Sequence, residues 1–89
     1  MNDKLSTLIA EAREEAARAI KLYPQPNYVI SKVAEEAGEV VKAAIHCAEQ
    51  RERPERVRAE IVQAMAMLMR LYLEGDQVHG LPPIAEFTN

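Results

Sequence analysis

The segment from Pro54 to Glu74 is apolar on nearly every side of a helix, and this feature constrains the fold more than any other. Its apolar positions are Val57, Ile61, Val62, Met65, Ala66, Leu68, Met69, Leu71, Tyr72 and Leu73. Only a narrow strip is polar, and it consists of Arg56, Glu60, Gln63, Arg70 and Glu74. Such a helix must be surrounded by other elements. Since two helices of the same chain leave part of it uncovered, we expect an all-α bundle of three main helices, completed by oligomerisation into a dimer or tetramer.

The first helix is predicted from about Asp3 to Leu22, because apolar residues recur there at three- and four-residue spacing. These residues are Leu5, Leu8, Ile9, Ala12, Ala16, Ala19 and Ile20. Glu14 and Arg18 are expected to pair on the outer face. The remaining charges of this helix, which include Glu15, are expected on a solvated face. The segment after Leu22 contains two prolines and cannot continue the helix.

The second helix is predicted from Tyr28 to about Gln50, and a short charged connection that ends at Pro54 then reverses the chain. Its expected apolar stripe is Val29, Val33, Ala37, Val40, Val41, Ala44 and Ala48. Gly38 is unfavourable in a helix interior and suggests close approach of another helix. We divide the chain into a helical domain, residues 1–75, and a C-terminal arm, residues 76–89. Leu81, Ile84 and Phe87 are expected to hold the arm against the body.

Composition excludes several classes of function. The chain has 89 residues and a net charge of −3, which indicates one domain without the basic surface that nucleic acid requires. Cys47 is the single cysteine, so no internal disulfide can form. The sequence contains no secretory hydrophobic region and no apolar run of ~18 residues. We therefore expect a cytoplasmic protein that binds neither nucleic acid nor membrane.

Four glutamates carry the chemical information. Glu35, Glu36 and Glu39 lie within two turns of the second helix, and Glu60 lies in the apolar third helix. Among the first three, Glu36 is nearest to the apolar stripe and should be the least exposed. If the two helices pack antiparallel, Glu39 and Glu60 differ by only ~7 Å along the axis. Carboxylates brought together in this way repel each other unless a cation compensates them.

Oxygen ligands without a nearby Cys or His set favour Mg²⁺, with Mn²⁺ as the second choice. Mg²⁺ commonly takes phosphate oxygens as its remaining ligands, so a nucleotide or another polyphosphate is the expected substrate. Lys32, Lys42 and Arg70 are candidate phosphate-binding residues. The two lysines are also spaced to pair with the glutamates of their own helix.

The pattern Glu35-Glu36-x-x-Glu39, followed by Glu60 on the next helix, resembles the MazG-like all-α nucleoside triphosphate pyrophosphohydrolases. The resemblance covers roughly residues 28–75. It implies a helical bundle completed by oligomerisation, and Mg²⁺-dependent cleavage of a (deoxy)nucleoside triphosphate into a monophosphate and pyrophosphate. The chain departs from the family at Gln63, where the pattern has Asp. A neutral amide can still coordinate through its oxygen, but it adds no negative charge.

On this basis we expect Glu36, Glu39 and Glu60 to be metal ligands, and Glu35 and Glu36 to be the catalytic residues, with Glu35 as ligand or as the base that orients water. Lys32, Lys42, Gln63 and Arg70 are expected to contact phosphate or substrate. Two alternatives remain open. Gln63 favours a catalytically silent module that binds a nucleotide or a protein. The third possibility is a purely structural helical dimer whose glutamates form a solvated face.

Overall fold

The computed structural model describes residues 3–88. It contains three long helices, α1 (Asp3–Leu22), α2 (Val29–Ala48) and α3 (Pro54–Glu74), followed by a short 3₁₀ helix (Ile84–Glu86). The only β pairing in the described residues is an isolated bridge between Asp76 and Leu81. The all-α prediction is thus confirmed, and α1 and α3 begin and end at the predicted residues. No helix within residues 3–88 is both long enough and apolar enough to cross a membrane.

Helix α3 lies between the other two helices. It packs against both α1 and α2, whereas α1 and α2 do not pack against each other within the described residues. Contacts between α1 and α3 run in the same order along both helices: Arg58 pairs with Glu11, and Gln63 pairs with Glu15. These two helices are therefore parallel. Helix α2 is antiparallel to α3, as the short connection between them predicts.

The buried face of α1 consists of small residues. Ala12, Ala16 and Ala19 are all nearly inaccessible, so the backbones of α1 and α3 can approach closely. The buried face of α2 differs from the expected one. Ala43 is buried, whereas Val41 is 57% exposed and Ala44 is exposed. The stripe is therefore rotated relative to the prediction. The expected close approach at Gly38 is wrong, because a Cβ atom there would meet nothing within 4 Å.

One face of α3 remains open to solvent, as the sequence predicts for a single chain. Leu68 is 54% exposed, Tyr72 43% and Leu73 52%. Together with Ile9 and Ile20 of α1, these side chains line a shallow apolar depression of about 660 Å³. We call this surface the α1–α3 groove.

The arm begins with a long-range cap for α2. Tyr28, which precedes α2, provides no side-chain cap. Instead, the buried carboxylate of Asp76 accepts a hydrogen bond of 2.9 Å from the Ile30 N–H, in the first turn of α2. It also accepts one of 3.1 Å from the His79 N–H. Gly75 allows this arrangement because it has a φ of 69°, and a Cβ atom there would lie 2.2 Å from the Leu81 carbonyl oxygen.

The rest of the arm packs against α3 through the 3₁₀ helix. Ile84 is half-buried there, and Thr88 lies 3.0 Å from the Tyr72 hydroxyl. Phe87 was expected to hold the arm in place, but it is 70% exposed. The backbone around Asp76 and the Ile84 side chain therefore fix the arm, and Phe87 contributes little buried area.

Asp76→Ala should lower the thermal unfolding midpoint by several degrees, because the first turn of α2 loses the only side-chain hydrogen bond that it receives from outside the helix within residues 3–88. Burial would raise the pKa of Asp76, but the hydrogen bonds from Ile30 and His79 outweigh burial and lower it. Because the pKa of Asp76 is lower in the folded state than in the unfolded chain, where it is near 4, its carboxylate stabilises the fold at a pH above 4. This stabilisation is lost as the pH falls through the pKa of the folded state. Circular dichroism melts should therefore show a difference at neutral pH that shrinks below about pH 4.

Gln77→Ala is the matched control, because Gln77 is exposed and follows Asp76 directly. Its side chain makes no contact that supports α2. Equal melting temperatures for Asp76→Ala and Gln77→Ala at neutral pH would show that the cap is not needed.

Candidate functional site

Glu36 lies on the buried face of α2, whereas Glu35 and Glu39 are exposed. This confirms the expectation that Glu36 is the least accessible of the three. Burial raises the pKa of Glu36, and the charges of Glu60, Glu39 and Glu35 raise it further, in that order. The Lys32 ammonium acts in the opposite direction. Glu60 comes from a different helix, so α2 and α3 do bring carboxylates into each other's electrostatic field.

Glu60 is largely buried on α3, with 12% of its side chain exposed. Its nearest cation is Arg56, one turn earlier, at 3.5 Å. Gln63 lies about one turn after Glu60 on the same face, ~4.5 Å further along the axis. Gln63 and Glu36 border the same pocket. Glu39 and Glu60 therefore lie about one turn closer to the α2–α3 connection than Glu36 and Gln63.

Gln63 is held by Glu15 of α1, which the sequence predicts on a solvated face. Its side-chain amide donates a hydrogen bond of 3.1 Å to the Glu15 carboxylate. Glu15 also accepts one of 2.7 Å from Arg18. The hydrogen bond from Gln63 lowers the pKa of Glu15, and Arg18 adds to this effect, although burial opposes both. Glu15 is thus an ionised carboxylate beside the position where the MazG-like pattern has Asp.

Two expectations about α1 are therefore wrong. Glu15 does not lie on a solvated face, since only 16% of its side chain is exposed. Arg18 pairs with Glu15 and not with Glu14. The sequence does contain a pattern that indicates the true position of Glu15, because this residue lies beside the stripe of Ala12, Ala16 and Ala19. Small residues bring α3 close, and a flanking long side chain then reaches it.

These residues surround a pocket of about 190 Å³ between the three helices, which we call the interhelical pocket. Helix α1 and the residues after it contribute Glu15, Arg18, Ala19 and Tyr23, helix α2 contributes Lys32 and Glu36, and helix α3 contributes Gln63, Met67 and Arg70. Of the predicted site residues, Lys32, Glu36, Gln63 and Arg70 thus meet at one pocket. Lys42, Glu35 and Glu39 are exposed and do not border it, and Glu60 lies next to it on α3.

Arg70 is fully buried at the end of the pocket that is nearer to the C-terminus of α3. Its Nε donates to the Glu74 carboxylate, and its Nη2 donates to the Tyr23 carbonyl oxygen. Nη1 has no hydrogen-bond partner among the described residues and is inaccessible to solvent. A buried guanidinium N–H without a partner is uncommon in proteins.

The carboxylates of Glu35, Glu36, Glu39 and Glu60 are suitable ligands for a divalent metal ion, because carboxylate oxygens bind such ions and a cation would relieve the repulsion between them. In the part of the chain that the structure describes, however, no group of three or more His, Cys, Asp or Glu side chains is placed to hold a metal ion. Glu36 and Glu60 thus share an electrostatic environment without forming a closed set of ligands.

Comparison of the chain with protein-family models, curated proteins and solved structures finds no match. The resemblance to the MazG-like family therefore depends on the glutamate pattern quoted above.

Proposed function

We propose that the protein is a Mg²⁺-dependent nucleoside triphosphate pyrophosphohydrolase that cleaves a (deoxy)nucleoside triphosphate to a monophosphate and pyrophosphate. The observation that carries this proposal is Glu36. It is a carboxylate on the buried face of α2, its pKa is raised by burial and by Glu60 of the neighbouring helix, and it borders a polar pocket with three cationic side chains. A carboxylate that is partly buried close to other carboxylates lowers the stability of the fold, and such destabilising arrangements are typical of functional sites.

Within this proposal Glu36, Glu39 and Glu60 would hold Mg²⁺ or Mn²⁺. A bound ion of this kind neutralises phosphate charge and lowers the pKa of a coordinated water. Glu35 takes the proton from the attacking water or orients it. Lys32 contacts phosphate from the wall of the interhelical pocket, and Gln63 offers its carbonyl oxygen because its amide group is held by Glu15. Lys42 is exposed and contacts phosphate only from outside the pocket.

A second candidate is a catalytically silent helical module that binds a nucleotide or a protein partner. Two observations favour it. Gln63 supplies no negative charge, and its amide is already hydrogen-bonded to Glu15. In addition, residues 3–88 contain no preformed group of three metal-ligating side chains.

The enzyme proposal predicts pyrophosphate release from at least one canonical or modified nucleoside triphosphate in the presence of Mg²⁺ or Mn²⁺. Glu36→Gln and Glu39→Gln should each lower turnover by about 10²-fold or more, since each removes a charged ligand or base. Pyrophosphate and phosphate are measured separately, because only pyrophosphate release fits cleavage between the α and β phosphates.

Glu55→Gln is the matched control for these variants. Glu55 is 73% exposed in the first turn of α3, and among the described residues it forms an ion pair only with Arg53. Its replacement removes one negative charge from the same bundle without touching the site. Nucleotide binding without turnover under either metal would support the silent module and contradict the enzyme.

Gln63→Asp should increase Mg²⁺ affinity several-fold. The change adds a carboxylate to the pocket that Glu36 borders, and it also removes the amide that donates to Glu15, so the pocket gains negative charge that a cation can neutralise. Titration of the thermal midpoint with Mg²⁺ measures this, because an ion that binds only the folded state stabilises it by mass action. An unchanged midpoint response would show that position 63 does not touch the metal. Gln50→Asp, at an exposed position outside the pocket, is the control.

We further propose that the chain forms a homo-oligomer through the α1–α3 groove. The groove exposes Leu68, Leu73 and Ile9 on two adjacent helices, and contiguous apolar surface of this kind commonly marks an interface. Small domains also gain stability by association. A second copy of the chain has the same face and is the simplest partner.

Leu68→Glu should shift the sedimentation velocity profile from oligomer to monomer, because it places a charge in the middle of the groove. Val78→Glu makes the same chemical change at an exposed apolar residue outside the groove and should leave the profile unchanged. A monomeric wild-type protein at all concentrations would contradict the oligomer.

A further inference from the structure

The interhelical pocket has two chemically different ends. Helix α1 is parallel to α3 and α2 is antiparallel, so Glu15, Gln63 and Glu36 meet at one end, which we call the carboxylate end. Met67 and Arg70 lie one and two turns further along α3, ~6 Å and ~10 Å from Gln63, and they form the other end together with Ala19 and Tyr23. We call this the Arg70 end.

The Arg70 end offers a hydrogen-bond donor whose positive charge is already neutralised by a carboxylate of the chain. The guanidinium of Arg70 is fully buried and is neutralised by Glu74 through its Nε, while Nη2 is occupied by the Tyr23 carbonyl. Only Nη1 is left, and it has no partner among the described residues. A phosphate carries one or two charges and would have to compete with Glu74 for Arg70. A neutral acceptor, such as a carbonyl oxygen or a ring nitrogen, satisfies Nη1 without disturbing that ion pair.

The other residues of the Arg70 end also suit a flat and partly apolar group. Met67 is 7% exposed and Ala19 is 5% exposed, so the wall of this end is formed by a polarisable thioether and a methyl group. Lys32 also borders the pocket, one turn from Glu36 and toward the Arg70 end because α2 is antiparallel to α3, and its charge acts on the Glu36 carboxylate.

We propose that the Arg70 end receives the nucleobase of the substrate, with Nη1 of Arg70 donating to a carbonyl oxygen or ring nitrogen of the base. This inference rests on the proposed function, since it takes the substrate to be a nucleotide. It replaces the expectation that Arg70 contacts phosphate. The phosphates then face the carboxylate end, and the ribose spans the distance between the two ends.

The test uses uncharged nucleosides and the Met67 methyl group as a reporter. Chain labelled with ¹³C at the methionine methyls is titrated in EDTA with cytidine, uridine, adenosine and guanosine, and separately with tripolyphosphate. At least one nucleoside should shift the Met67 resonance and leave Met69 in place, because Met69 lines the α1–α3 groove on the opposite face of α3. Tripolyphosphate should not shift Met67.

Glu74→Gln provides the second arm. It leaves Arg70 without its neutralising carboxylate, so tripolyphosphate should now shift Met67 while the nucleoside response persists. Glu55→Gln makes the same charge change at the other end of α3 and should behave like wild type. A Met67 resonance that no nucleoside shifts, or that tripolyphosphate shifts in the wild-type chain, overturns the inference. So does a Glu74→Gln variant that still ignores tripolyphosphate.

These outcomes are separate from those of the hydrolysis assay. If nucleosides shift the Met67 resonance but no pyrophosphate is released, the base site is supported and the enzyme proposal is contradicted. A chain that releases pyrophosphate without any nucleoside shift at Met67 retains the enzyme and places the base elsewhere.

Discussion

Helix α3 is packed on two sides, so the polar strip along one of its faces has to be satisfied by side chains of its neighbours. Each polar residue of the strip finds a partner in a different way. Glu60 pairs with Arg56 within the helix, Gln63 bonds Glu15 of α1, and Arg70 bonds Glu74 and the chain just after α1. The interhelical pocket forms where these partners leave space. The candidate site is therefore a direct consequence of burying a helix that is not apolar all the way round.

The ends of the helices could be predicted from sequence, because local chemistry determines them. Pro54 fits the first turn of α3, and Gly75 at its end adopts a positive φ. The faces of the helices were harder to predict. On α2 the amphipathic pattern placed the stripe around Val41 and Ala44, whereas the real buried face includes Ala43 and Glu36. A hydrophobic pattern centres on apolar residues, so it moves the predicted face away from a half-buried carboxylate such as Glu36.

The same reasoning explains why Glu15 was missed. In isolation it looks like one more charge on a solvated helix, and its sequence neighbours Glu14 and Arg18 suggest a surface pair. Its true environment depends on α3, which lies against it only because Ala12, Ala16 and Ala19 permit a short interhelical distance. The long-range cap by Asp76 is of the same kind, since it joins residues 46 positions apart. Local rules do not determine contacts of this type, because they require the tertiary arrangement to exist first.

The two sites proposed for this protein lie on different faces of α3. Gln63, Met67 and Arg70 point to the interhelical pocket, while Leu68, Tyr72 and Leu73 lie on the opposite side in the α1–α3 groove. A partner that covers the groove would leave the pocket open, so association and ligand binding through these surfaces do not exclude each other. The two surfaces share α3, however, and α1 packs against it. Covering the groove would hold α1 against α3 and thereby fix Glu15 beside Gln63, which links the order of the pocket to the burial of the apolar face.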